Sequence, residues 1–189
     1  MLYIDLIPKK ATDFAWIRKG SCMKHLFFHG PSGAGKSFAL EQAIAERELP
    51  VCGFRSHKAA DGFVYLGPAG APAPEDAAHR VACISARPPV ADAARFDALG
   101  AALLGHIRPG SLVLMDEIGF LERDAAGFSA LVRALLDRTD VHILGVCRAD
   151  KDTPLLCYLR GHANVALYAV TPATRDAALA RARAFLRQL

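Results

Sequence analysis

The sequence predicts an α/β fold, a mostly parallel sheet with helices on both faces, and three observations predict it. Short apolar runs rich in Val, Ile, Leu and Phe alternate with longer stretches of helical period. Several of those runs are apolar on both faces, as strands covered from two sides must be. A glycine-rich segment, HGPSGAGKS (29–37), joins the apolar run Leu26-Phe27-Phe28 directly to a helical stretch. That strand–loop–helix order is the start of a parallel crossover unit.

Taken in order, the expected strands are 2–7, 25–29, 51–54, 63–66, 81–85, 112–116, 141–147 and 165–170. A helix over 36–48 continues from the glycine loop and stops before Pro50. A second, over 91–107, places Phe96, Leu99, Leu103 and Ile107 on one face and stops at Arg108-Pro109-Gly110. A third, over 125–138, aligns Phe128, Leu131, Val132, Leu135 and Leu136. A short helix follows Thr153-Pro154, and the last opens at Thr171-Pro172, a cap residue before a first-turn proline. Residues 51–66 break the alternation: two short strands around HKAADG read as a hairpin, with Asp61-Gly62 at its turn. Residues 67–80, opened by GPAGAPAPED, form a Pro/Ala/Gly-rich loop expected to be the most flexible stretch. Residues 1–23 read as an addition, an edge strand and a short helix capped at Thr12.

At 189 residues, 52% of them apolar and 22% charged, residues 1–189 are expected to form a single domain with a real core rather than a disordered chain. The net charge of +4 comes from scattered Lys and Arg, so a nucleic-acid partner is not expected. Five dispersed cysteines (Cys22, Cys52, Cys83, Cys147, Cys157) without a CxxC pair suggest buried free thiols in a reducing compartment and argue against zinc. No apolar run approaches a bilayer span, and the N-terminus lacks a signal-peptide layout, so the expectation is a cytoplasmic monomer without membrane contact.

Chemistry concentrates in the glycine loop. Residues Gly30, Pro31, Ser32, Gly33, Ala34, Gly35, Lys36 and Ser37 fit G-x-x-x-x-G-K-[ST]. Glycines let successive N–H groups turn inward on phosphate oxygens, and the following helix adds its positive end. Lys36 offers a point charge to the β- and γ-phosphates, and the Ser37 hydroxyl can ligate Mg²⁺. Phe38 continues the loop into the helix and is counted with it. The loop is thus expected to hold a nucleoside triphosphate such as ATP or GTP, or at least a polyphosphate.

A second acidic site decides whether the phosphate is cut. SLVLMDEIG is an apolar strand ending in Asp116-Glu117. Asp116 suits the metal side, and Glu117 a water aimed at the γ-phosphorus. Arg148 ends the strand VHILGVCR at the same edge if the strands run parallel, where it can meet transition-state charge. Arg175 stands in the first turn of the last helix, where a cation opposes the dipole; its place makes sense beside a nucleotide.

With these segments placed, the chain resembles the small P-loop nucleoside-triphosphatases first recognised in thermophiles, also called the cancer-related NTPase family. The resemblance runs from about residue 24 to the last helix. It rests on GPSGAGKS, Gly53-Phe54, DEIG (116–119) followed by FLE, Phe128, Pro154-Leu155 and TPATRD (171–176). It implies a three-layer P-loop NTPase fold whose RecA-like sheet puts another strand between the phosphate-loop strand and the Asp116 strand. It also implies slow Mg²⁺-dependent hydrolysis of several nucleoside triphosphates and a catalytic glutamate at Glu117. Two segments depart from the family pattern. Arg55-Ser56-His57-Lys58 follows Gly53-Phe54, with a base in place of an acid, and ARPPVADAARF stands where a Gly-Tyr-Gly-like segment is expected. Two rival functions stay open at this point: a P-loop kinase with a small acceptor, and a nucleotide-gated binding module with little turnover.

Overall fold

The computed structural model describes residues 24–189; the strand expected at 2–7, the cap at Thr12 and Cys22 lie outside the described residues. Eight strands form one sheet: β1 (His25–His29), β2 (Val51–Lys58), β3 (Phe63–Pro68), β4 (Arg80–Cys83), β5 (Val90–Ala91), β6 (Leu112–Ile118), β7 (His142–Cys147) and β8 (Val165–Ala169). Their spatial order is β5-β4-β3-β2-β6-β7-β1-β8. The five strands from β2 to β8 in that order are parallel, whereas β3, β4 and β5 extend the sheet by antiparallel pairing. As expected of a RecA-like sheet, β7 lies between β1, which feeds the glycine loop, and β6, which carries Asp116.

The helices are α1 (Lys36–Ala45), α2 (Ala93–Leu104), α3 (Ala126–Asp137), α4 (Pro154–Gly161) and α5 (Arg175–Leu186). Strand alternation splits the core in two. On one face Leu26, Phe28, Leu114, Leu144 and Val146 pack under α1 and α5. On the other Phe27, Phe54, Val113, Met115 and Ile143 pack under α2, α3 and α4. This is the three-layer α/β arrangement. Phe128 is the hub of the second layer, set edge-on to Phe54 at 5.2 Å and to Phe96 at 5.6 Å between ring centroids. Pairs of that geometry add about 1 kcal/mol each beyond the area they bury.

Several boundaries differ from the sequence expectation, each for a local reason. Strand β2 runs on past Phe54 through Arg55-Ser56-His57-Lys58, because these residues pair antiparallel with β3, with His57 and Lys58 exposed at the strand's end. Strand β5 was not expected; its two residues pair with β4 alone. Strand β6 continues two residues past the expected end at Asp116, through Glu117 to Ile118. Helix α1 ends three residues early, and Glu48 takes a left-handed turn (φ 50°) before Pro50.

Helix α2 starts at Ala93, where the Asp92 carboxylate accepts from the Arg95 amide at 2.9 Å, an N-cap. Its buried stripe is Phe96, Gly100 and Leu104, with Leu99, Leu103 and Ile107 only half-buried. The rotation follows from Gly100: a Cβ there would lie 2.8 Å from Phe128 Cδ2, so only glycine lets that ring press against the helix. Helix α3 has no cap of its own; Asp97 of α2 accepts from the Phe128 amide at 2.7 Å and serves in its place. A 3₁₀ turn over Leu121–Asp124 precedes it, and another over Pro172–Thr174, closed by a Thr171/Thr174 capping box, precedes α5.

The hairpin turn is as expected, with Asp61 accepting from the Phe63 amide at 2.9 Å and from the Tyr65 hydroxyl at 2.6 Å. The loop after β3 folds back on the sheet: the Ala69 amide donates to Gly53 O at 3.1 Å, and Ala73 is buried against Gly67. Of the cysteines described, Cys147 alone is buried; Cys52 and Cys83 are half-buried and Cys157 is exposed, all as free thiols. The expectation of buried thiols is corrected accordingly: Cys52 stands near the start of β2, Cys83 ends β4 one strand from the sheet edge, and Cys157 is exposed on α4. Among the described residues no helix is long and apolar enough to cross a membrane.

Candidate functional site

The site forms where the parallel strands end. Strand β1 delivers the chain at His29, residues 30–35 fold the glycine loop, and α1 begins at Lys36. Gly35 takes a left-handed conformation (φ 93°) that turns the loop into the helix. A Cβ on it would sit 2.6 Å from Arg175 Nε, so the Arg175 side chain lies directly over the loop. The end of β8 brings Arg175 there, with the Val170 amide donating to His29 O at 2.7 Å before the capped turn into α5. Ser32 and Gly33 form the exposed tip, Ala34 is buried beneath, and Phe38 stands out at 58% exposure on the first turn of α1.

Lys36 is buried, and its Nζ donates to Gly30 O at 2.9 Å and Pro31 O at 2.8 Å. The loop thus clamps the ammonium with two of its own carbonyls and leaves one proton for a further acceptor. Desolvation lowers its pKa, against the opposing pull of the Glu117 and Asp116 carboxylates. The next residue ties the loop to the sheet: Ser37 Oγ donates to Asp116 Oδ1 at 2.9 Å. Asp116 is buried, which pushes its carboxyl up from the ordinary 3.8 to about 6 despite the serine bond.

Glu117 takes a different environment. Its amide donates to Ser56 Oγ at 3.2 Å, and its carboxylate Oε1 lies 3.7 Å from Arg148 Nη1. Arg148 follows β7, its amide donating to Ile118 O at 2.9 Å. Its guanidinium is held in a fork by Asp150, with both bonds at 2.8 Å. The structure therefore gathers Lys36, Ser37, Asp116, Glu117 and Arg148 at one edge of the sheet and lays Arg175 over the loop. Among the described residues no cluster of three or more His, Cys, Asp or Glu is arranged to hold a metal; the oxygen donors at hand are the Ser37 hydroxyl and the Asp116 carboxylate.

Three neighbours escaped the sequence reading of the site. Ser56 accepts from the Glu117 amide, and Arg55 stands opposite Asp116 in the β2–β6 register while pairing with Glu41 at 3.3 Å. Glu122 is 4% exposed, and its carboxylate accepts from the Gly119 amide. Burial pushes it from 4.5 to about 7. The signal for Glu122 was present in FLE, an acid inside an apolar neighbourhood; nothing in the sequence marks Ser56 or Arg55 as neighbours of the 116–117 pair.

Comparison with known proteins places this arrangement. A family model described as NTPase matches residues 76–182, more than half of the chain, a span that includes β6 and the 171–176 segment but begins after the glycine loop. No curated protein matches significantly. Among solved structures, THEP1 from the hyperthermophile Aquifex aeolicus superposes with a TM-score of 0.70 at 17% identity, over 83% of this chain and 95% of that one. A human cancer-related nucleoside triphosphatase superposes with a TM-score of 0.65 at 23% identity, over 87% of this chain and 98% of that one. At those identities the superpositions speak for the fold, a P-loop NTPase fold, and the family match carries the assignment. The chain belongs to the NTPase family, the small P-loop nucleoside-triphosphatases.

Proposed function

We propose that the chain is a Mg²⁺-dependent nucleoside-triphosphate phosphohydrolase, converting ATP, GTP and other nucleoside triphosphates to the diphosphate and phosphate. The observation that carries the reading is the 2.9 Å bond from Ser37 to Asp116, which brings the glycine loop and the end of β6 to one point. An all-oxygen pair in a desolvated place, with an aspartate whose charge is penalised by burial, suits a hard divalent cation. Ser37 and Asp116 would hold Mg²⁺, which when bound neutralises charge on the phosphate oxygens.

The protein groups supply the rest. Backbone amides of 32–37 and the third proton of Lys36 bind the phosphate chain, with Phe38 and Arg175 bordering it. Glu117 orients a water and accepts its proton as the water oxygen bonds to the γ-phosphorus and the bond to the bridging oxygen breaks. Arg148, 3.7 Å from Glu117, faces the charge that develops there. The cavity that Glu117 lines with Ser56 and Glu122 measures about 30 Å³, room for one water. All of these groups come from one chain, so a monomer suffices.

Phosphate release from a panel of triphosphates, with and without Mg²⁺, tests the reading. Lys36→Ala weakens nucleotide binding, and Glu117→Gln keeps binding while losing turnover. Hydrolysis by Glu117→Gln at the parent rate would refute the assigned base.

A further inference from the structure

We propose that Glu122 is a positioning residue for hydrolysis, its carboxyl holding the turn that follows β6 so that Glu117 and Arg148 stay together. The inference rests on the hydrolytic reading of Glu117 above.

The residues between Glu117 and Glu122 form a short closed turn. Strand β6 ends at Ile118, Gly119 follows, and the 3₁₀ turn over Leu121–Asp124 returns the chain so that the Glu122 carboxylate reaches the Gly119 amide. Arg148 is locked to the same turn. Its amide donates to Ile118 O at 2.9 Å, and its Cγ lies only 3.2 Å from where a Cβ on Gly119 would be. Glu117 precedes the turn by one residue, and Glu117 and Glu122 line the same water-sized cavity with Ser56, Lys58, Phe96 and Phe128. A shift of the Gly119 amide therefore moves both the end of β6 and the base of Arg148.

The chemistry of the position is otherwise hard to explain. A carboxyl among Phe54, Leu66, Phe96 and Phe128 loses its hydration, and no Lys, Arg or His forms an ion pair with it among the described residues. An apolar side chain would fill the space at lower cost, but it would leave the Gly119 amide buried without an acceptor. What the carboxyl supplies, and a hydrocarbon does not, is that acceptor.

Three replacements test this. Glu122→Met keeps the volume and removes the acceptor; Glu122→Gln keeps a neutral acceptor; Glu122→Asp keeps the carboxyl but falls one methylene short. The expected result is a kcat at least tenfold lower for Met and Asp, with KM and nucleotide affinity unchanged, and a kcat within about twofold of the parent for Gln. Should the Met variant fail to fold, the Asp and Gln pair carries the comparison. The proposal is overturned if Met or Asp turns over at the parent rate, if the loss falls on KM instead, or if Gln loses as much as Met. Glu117→Gln in the same assay separates the two claims. Unimpaired turnover there removes the hydrolytic reading itself, whereas lost turnover there together with a fully active Glu122→Met removes only the positioning role.

Discussion

Replacing Glu122 by Gln also makes a stability prediction whose size follows from burial. The carboxyl is 4% exposed, and desolvation raises it from the ordinary 4.5 to about 7, with the amides of Glu122 and Gly119 opposing and the charge of Glu117 adding to the rise. In the unfolded chain the same group ionises near its ordinary value. Between those two points the folded state binds the extra proton, so the contribution of this group to stability falls as pH rises through the window from about 4.5 to about 7. At about 1.4 kcal/mol per pH unit, the ionised carboxylate costs the fold roughly 3 kcal/mol at about pH 8. Gln does not ionise. The variant should match the parent below about pH 4 and exceed it by roughly 3 kcal/mol above about pH 8. Urea unfolding followed by circular dichroism across that range gives the difference directly, because Asp116 and His25 titrate alike in both proteins and cancel. A difference that stays flat with pH would refute the reasoning.

The same measurement on His25 should give the opposite sign. His25 is fully buried beneath α3, with Nε2 3.0 Å from Leu136 O, and desolvation lowers it from 6.5 to about 4. Its stabilisation is complete above about pH 6.5 and lost as pH falls toward 4, so the parent should lose about 3 kcal/mol relative to His25→Gln over that interval; a parent and variant with parallel acid profiles would exclude it. Gly35→Ala places a side chain at φ 93° and drives into Arg175, costing about 1–2 kcal/mol in strain. Its nucleotide affinity, read by fluorescence titration, should fall at least tenfold, and an unchanged affinity would show that Arg175 and the loop move freely.

The fold was legible wherever one residue type dictates one conformation. The glycines and lysine at 30–37, the Thr153-Pro154 and Thr171-Pro172 starts, and the Asp61-Gly62 turn all stand where their chemistry requires. What escaped was set by partners distant in sequence. The buried face of α2 is fixed by Phe128 pressing on Gly100, the start of α3 by a carboxylate borrowed from α2, and the length of β2 by pairing with β3. Periodicity within α2 could not reveal which of two overlapping apolar stripes a ring from α3 would choose. In the site, the residues within the motifs were visible, whereas Ser56 and Arg55 come to Asp116 and Glu117 only through the β2–β6 register.

Three carboxyls within seven residues do not repeat one another, because the fold gives each a different solvent. Asp116 is desolvated against the Ser37 hydroxyl on the α1 side of the sheet, an environment that penalises its charge and suits the cation proposed there. Glu122 is desolvated against a backbone amide on the α2–α3 side, where a neutral carboxyl still accepts that bond. Glu117 lies between them with a quarter of its side chain open to water and a guanidinium at 3.7 Å. Of the three, it alone meets both the water and the arginine that the proposed hydrolysis needs. If burial rather than spacing assigns these roles, exchanging acid for amide must tell at three different readouts. Asp116→Asn should lower metal-dependent binding, Glu117→Gln should lower turnover, and Glu122→Gln should alter only the dependence of stability on pH.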